Sequence, residues 1–293
     1  MSLAVLLLAH GAPERVEDVE PYLGYVRPGR PLPPRVLDEI KRRYVLIGGG
    51  SPLLACTRRQ AEALQARLGV PAYFGMRNWH PFIQDTMARM QAEGIRRIVA
   101  MCLAPQYSKL SVGFYFRRVQ EAKVALGYDA EIVWTQSFHD HPLLIAAFAE
   151  KLAPLLPAER VLFTAHSLPE KILEQGDRYD AETRATARLV AAKLGLPEYE
   201  FAYQSQGMTE EKWLGPTVES RLDAYAAEGV KRVAIAPIGF VSDHVEVLYD
   251  VDILFHGYAA ARGIEIARAG SLNDSETFIA ALAEVAAGKL RAD

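Results

Sequence analysis

The chain has 293 residues, half of them apolar and 24% charged, an ordinary globular composition that excludes disordered, collagen-like and disulfide-scaffold classes. With 33 basic against 36 acidic side chains the net charge is −3, so no global positive field recruits nucleic acid or an anionic lipid surface. Two cysteines, Cys56 and Cys102, are too few for a four-thiolate zinc or iron–sulfur site, and their apolar surroundings predict reduced, buried thiols.

The first element is the apolar run Leu3–Ala9, which ends in His10-Gly11. It lacks a basic segment before it and is too short for a signal peptide or a membrane span, so it predicts a buried strand entering a turn. The expectation is a soluble, cytoplasmic protein without stable membrane insertion. Further strands are predicted at 72–76, 95–103, 131–136, 160–165, 200–204, 230–236 and 264–268. Helical spacing follows at 52–68, 81–93, 112–126, 141–152, 180–194, 216–228, 243–261 and 274–287. Alternation of near-continuous apolar strands with helices implies an α/β fold with parallel sheets covered on both faces. In such sheets ligands gather at the carboxyl ends of the strands.

An internal repeat divides the chain. LLLAHGAP (6–13) pairs with LFTAHSLP (162–169), GMRNWHP (75–81) with GMTEEKWLGP (207–216), and AEGIRRIVA (92–100) with AEGVKRVAI (227–235). The common order predicts two similar Rossmann-like lobes, at 1–142 and 143–273, with a cleft between them and a C-terminal helix at 274–293. His10 and Gly94 are 84 residues apart and His166 and Gly229 are 63 apart, which places an insertion in the first lobe at about 14–50. That stretch carries Pro21, Pro28, Pro31, Pro33 and Pro34 with Arg27, Arg30, Arg35, Arg42 and Arg43. It reads either as a lip whose guanidinium groups receive carboxylates or phosphates, or as a solvated loop and helix with ordinary surface arginines.

Several residues could carry chemistry. His10 and His166 occupy equivalent positions at strand ends, where imidazole is either a structural residue or a metal ligand and base. The glycine-rich IGGGSPL (47–53) opens a helix and is an anion cradle or a plain tight turn; it is neither a Walker A motif nor a dinucleotide fingerprint. In IGFVSDHVEVLYD (238–250), a helix starting at Asp243 would put Asp243, Glu246 and Asp250 on one face, as a divalent-metal site or as an acidic first turn facing the helix dipole. Tyr107, Phe114, Tyr115, Phe116 and Trp213 suit a flat apolar slot or core packing.

Taken together, HGAPERVEDVEPYL (10–23), RYVLIGGGSPL (43–53), LAPQYSKLSV (103–112), AHSLPEKILEQGDRYD (165–180), WLGP (213–216) and GFVSDHVEVLYD (239–250) resemble the ferrochelatases nearly end to end. The resemblance implies a chelatase-like two-lobed fold and the insertion of ferrous iron into a free-base porphyrin, with two protons released. Porphyrin and ferrous iron are then substrates, no cofactor is permanently bound, and transient contact with neighbouring haem-pathway enzymes is expected. By resemblance, His166 and Glu246 ligate the metal and carry catalysis, while Asp243 and Asp250 form an outer acidic track. His10, Arg27, Arg43, Tyr44, Ser51 and Tyr115 contact the macrocycle or its propionates. The short polar lip VRPGRPLPP (26–34) is similar to that of the soluble coproporphyrin III ferrochelatases, whose substrate carries four propionates. Close relatives of that subclass often have a tyrosine before the glycine at position 11, where this chain has His10.

Other readings are a protoporphyrin IX ferrochelatase, a cobalt or nickel chelatase of a related fold, and a haem or porphyrin carrier without catalysis. A hydrolase using Ser167 beside His166 is excluded, because adjacent residues of an extended segment point to opposite faces and no G-x-S-x-G elbow is present.

Overall fold

The computed structural model describes residues 2–207 and 211–291. Residues 208–210 of the GMTEEKWLGP phrase lie outside the described residues.

Among the described residues, eight strands form two four-stranded parallel sheets. The first contains β1 (Leu3–Ala9), β2 (Ala72–Met76), β3 (Arg97–Cys102) and β4 (Glu131–Thr135), in the order β2-β1-β3-β4. The second contains β5 (Arg160–His166), β6 (Glu200–Gln204), β7 (Arg232–Pro237) and β8 (Glu265–Arg268), in the order β6-β5-β7-β8. The repeat is therefore topological: β1 and β5 each lie between the next two strands of their half. Ala4 to Leu8 of β1 are at most 1% exposed, as expected of an apolar run covered on both sheet faces.

Helices α1 (Val19–Val26) and α2 (Pro34–Leu46) occupy the insertion, which is therefore largely helical. Pro34 has a local reason: it is the first residue of α2, where the missing N–H is not needed and φ is preset. Helices α3 (Leu53–Leu68), α4 (Ile83–Ala92) and α5 (Val112–Ala125) follow in the first half. The second half carries α6 (Pro142–Leu152), α7 (Tyr179–Lys193) and α8 (Val218–Ala227).

The predicted helix 243–261 is corrected by the structure. It divides into α9 (Val245–Leu248), a π-helical segment (Asp250–Phe255) and α10 (His256–Ala260). Asp243 precedes α9 because Asn273 holds it outside the helix. The Asp243 N–H donates to Asn273 Oδ1, and Asn273 Nδ2 donates to Asp243 Oδ2, both at 2.9 Å. Leu254 N–H donates to Tyr249 O, five residues back, at 2.9 Å, which widens the turn that follows Asp250. Three carboxylates therefore do not share one continuous helix face. Glu246 and Asp250 stay one turn apart, and Asp243 is a loop residue.

The chain forms two compact units. One comprises Met1–Phe138, Ser242–Val245 and Asn273–Asp293, the other His139–Val241 and Glu246–Leu272. The C-terminal helix α11 (Glu276–Leu290) packs on α3 of the first unit. Fully buried Gln60 on α3 donates to Ser242 Oγ at 2.9 Å and to Asn273 O at 2.7 Å, which anchors both returning segments there. The core of the first unit is built on Leu6, Leu8, Met87, Ile98 and Val119, and that of the second on Leu162, Leu222, Tyr225, Ile235 and Phe255.

Candidate active site

The second unit brings its chemistry-bearing residues together at the carboxyl ends of β5 and β6. His166 is the last residue of β5, delivered there by the buried run Val161–Ala165. Glu246 lies in the first turn of α9. His166 Nδ1 is 3.1 Å from Glu246 Oε2, with the two side chains 30% and 36% exposed. The contact has the separation of an ion pair, and His166 Nδ1 is itself shielded from solvent. Burial of His166 opposes its protonation, but the charge of Glu246, reinforced by Asp250, outweighs this and holds the imidazole above its ordinary range. An imidazole and a carboxylate at this spacing can share a divalent cation or exchange a proton.

The surrounding main chain is tightly held. Tyr179 Oη donates to His166 O at 2.9 Å. Burial, with Tyr203 and Glu246 nearby, pushes the Tyr179 phenol well above its usual range, so it stays a neutral donor. Gln204 Nε2 donates to Glu246 O at 2.8 Å. Ser205 Oγ donates to the carboxylate of Asp250, which is 8% exposed. Ser205 adopts φ 57°, a left-handed conformation unusual for a residue other than glycine, at the end of β6. Gly239 is required by close approach, since a Cβ there would sit 2.7 Å from the Cβ of Ala165. The adjacent Phe240 ring stands edge-on to His166 at 6.5 Å.

In the first unit, His10 follows β1 and meets a different partner. Asn78 Nδ2 lies 3.0 Å from His10 Nε2, and Asn78 N–H donates to His10 O at 2.9 Å. Arg77 Nε donates to Asn78 Oδ1 at 3.4 Å, which directs the amide N–H toward the imidazole. Tyr22 stands edge-on to His10 at 6.3 Å and to Trp79 at 6.1 Å. Tyr25, Trp79, His80 and Phe82 extend this aromatic group, and Tyr25 is half exposed.

The other sequence-selected residues of this unit differ in access. Arg27 is half-buried at the end of α1, and Arg43, on α2, reaches Glu39 at 3.4 Å. Tyr44, Ser51 and Tyr115 are buried at 2%, 6% and 7% exposure. The Arg77 guanidinium lies over the Tyr115 ring at 5.2 Å. IGGGSPL forms a tight turn against the end of the first βα loop: Ser51 N–H donates to Pro13 O at 2.9 Å. A Cβ on Gly50 would fall 1.9 Å from Glu14 O, so that glycine serves backbone approach.

Asn78, Tyr179, Gln204 and Ser205 were not singled out from sequence. Gln204 and Ser205 do satisfy the general rule that residues at strand ends are the places to search. Tyr179 lies inside the AHSLPEKILEQGDRYD phrase, but nothing in its spacing shows that it reaches back to His166.

A model of the ferrochelatase family matches residues 2–290. The chain belongs to the ferrochelatase family. Among relatives, a ferrochelatase from Acidobacterium capsulatum is 44% identical, with 97% of this chain and 93% of that protein covered. A coproporphyrin III ferrochelatase from Oceanobacillus iheyensis is 35% identical, with 99% and 98% covered. Among solved structures, SirB from Bacillus subtilis with Fe3+ has a TM-score of 0.63 at 11% identity, covering 99% of this chain and 96% of that one. CbiX, the terminal enzyme of siroheme biosynthesis in denitrifying bacteria, has a TM-score of 0.55 at 13% identity, covering 97% and 98%. The last two likenesses show the two-lobed chelatase fold alone. Among the described residues of this ferrochelatase-family chain, no helix is long and apolar enough to cross a membrane.

Proposed function

We propose that this chain inserts ferrous iron into a free-base porphyrin, with coproporphyrin III the favoured substrate, and releases two protons. The observation that carries this reading is the His166–Glu246 pair, an imidazole and a carboxylate 3.1 Å apart at a strand end. The chemistry requires two pyrrole N–H protons to leave as Fe2+ enters the ring. An imidazole whose proton affinity is raised by a carboxylate can take such a proton when neutral, and the pair can hold a divalent ion loosely enough to hand it over. His166 and Glu246 therefore carry both metal binding and catalysis, with iron as substrate and no permanently bound cofactor.

Asp250, one turn beyond Glu246 and bonded to Ser205, adds negative charge near the imidazole and is an outer group of the same acidic segment. Asp243, in the loop before α9, is proposed as a further outer group of that acidic track. Arg27 and Arg43 supply charge for propionates. Tyr44, Ser51 and Tyr115, which are buried, and His10 are proposed to contact the macrocycle. The preference for coproporphyrin III rests on the polar wording of residues 26–34 and on the arginines there. Relatives named for coproporphyrin III support it, and a relative named only for ferrochelatase at higher identity is compatible with protoporphyrin IX as well.

The test is anaerobic absorbance of coproporphyrin III and protoporphyrin IX, each incubated with Fe(II) and the protein. The expected result is conversion of free-base to metalloporphyrin bands with both, and a higher kcat/KM for coproporphyrin III. Tight porphyrin binding without any conversion would instead identify a carrier, and conversion with Co2+ or Ni2+ but not Fe2+ would identify a different chelatase.

A further inference from the structure

Gln204 stands directly opposite His166 in the parallel ladder of β5 and β6. Its polar groups reach in three directions. Its main-chain oxygen accepts the N–H of Ser167, the residue after His166, at 2.7 Å. Its Oε1 accepts from Thr164 Oγ1 at 2.7 Å, and its Nε2 donates to the main-chain oxygen of Glu246 at 2.8 Å. The amide orientation is dictated by chemistry. A backbone carbonyl can only accept, so the NH2 group must face Glu246 and Oε1 must face the hydroxyl. Gln204 is 3% exposed and Thr164 fully buried, so water does not compete for the bond between them, while the bond to Glu246 is partly buried.

We propose that Gln204 is a positioning residue for metal insertion: it ties the strand end that carries His166 to the helical turn that carries Glu246, and so sets the separation of the two side chains. The proposal rests on the reading of His166 and Glu246 as the reacting pair. Gln204 acts through the Glu246 carbonyl on one side and through the Ser167 N–H and the Thr164 hydroxyl beside His166 on the other. The His166 carbonyl is held independently by Tyr179 and the strand by its ladder, so the strand end is formed without the Gln204 side chain. What the side chain adds is the link to Glu246, with a longer contact from the same nitrogen to Ser205 Oγ at 3.4 Å. A loss of about 10–100-fold is usual when a partner that orients a metal ligand is removed.

The experiment compares anaerobic Fe(II) insertion by Gln204→Met, Glu246→Gln and the double variant, with thermal unfolding of each. Met keeps the length of the side chain and removes the amide. The expected result for Gln204→Met is a kcat about 10–100-fold lower, a porphyrin KM within about twofold of wild type, and a double variant no slower than Glu246→Gln alone. Thr164→Val, which removes the hydroxyl that orients the amide, should show the same pattern at smaller size, and it replaces Gln204→Met in the cycle if that variant fails to fold. Wild-type kcat in Gln204→Met, or a loss that multiplies fully with that of Glu246→Gln, overturns the proposal; full multiplication marks a general packing defect. A near-wild-type rate for Glu246→Gln itself sinks the functional reading beneath it, whereas a slow Glu246→Gln beside a normal Gln204→Met removes only the positioning role.

Discussion

His10 and His166 stand at corresponding points of the two repeats, after β1 and at the end of β5, in the similar phrases AHGAP and AHSLP. Their neighbours differ in kind. His10 Nε2 meets the neutral amide of Asn78 at 3.0 Å, while His166 Nδ1 meets the carboxylate of Glu246 at 3.1 Å. An amide orients an imidazole without adding charge. A carboxylate raises its proton affinity and offers a second ligand to a cation. The same topological position thus meets an amide in one repeat and a carboxylate in the other. Fold symmetry predicts where a functional residue sits, and the partner decides what it does.

Substitutions can break this comparison, and the largest effect is expected at the charged end. His166→Ala should lower iron insertion by roughly 10²–10⁴-fold, the usual cost of losing a positioned proton-transfer group, while porphyrin binding by fluorescence quenching persists. His10→Ala should cost much less in rate; equal losses at the two histidines would show that the carboxylate partner is not what distinguishes them.

Next in size, Glu246→Gln should reduce insertion strongly and Asp250→Asn by roughly 10–100-fold or less, because Asp250 acts from outside the pair. Negligible effects from both would reduce the acidic segment to a solvated helix surface.

The pH dependence sharpens the same contrast. His166 is held above the ordinary imidazole range, so activity should rise with pH as the folded-state imidazole loses its proton and becomes able to accept another. In Glu246→Gln that rising limb should move to lower pH, since the opposing charge is gone and burial remains. The sign for stability runs the other way. A raised folded value contributes stability that is fully present below the unfolded imidazole value and is lost as pH rises through the folded one. The difference in Tm between wild type and Glu246→Gln should therefore shrink with rising pH across that window; a constant difference would mean the pair adds no pH-linked stability.

The smallest effects are expected on the insertion of the first unit. Arg27→Ala and Arg43→Ala should raise KM for coproporphyrin III more than for protoporphyrin IX. A well-formed charged hydrogen bond is worth about 1.5–3 kcal/mol, less where solvent reaches it, and Arg43 already shares its charge with Glu39. The coproporphyrin penalty should shrink in high salt. Equal KM changes for both porphyrins would detach these arginines from substrate choice.

Much of this was legible in the residues because it is local. The β1 run and Ala72–Met76 match the predicted strands residue for residue, since an apolar stretch of strand length bounded by turn residues has few other ways to be buried. The repeat phrases marked the equivalence of the two sheets, and the phrases that hold His166 and Glu246 singled out two residues that the fold brings to 3.1 Å. What could not be read was whatever depends on side chains meeting across distant sequence. Asn273 holds Asp243 out of a helix that its spacing predicted, and the π segment at Asp250–Phe255 depends on packing that no periodicity encodes. The C-terminal helix, set apart in the sequence, packs on α3, and its apolar positions are buried. Periodicity and turn chemistry set the strands, the helices and their order, because these follow from each residue's own backbone preference and from one apolar face. The partner of each imidazole was decided only by tertiary structure, because Asn78 lies 68 residues from His10 and Glu246 lies 80 from His166, and only the parallel crossovers of the two sheets bring such residues within bonding distance.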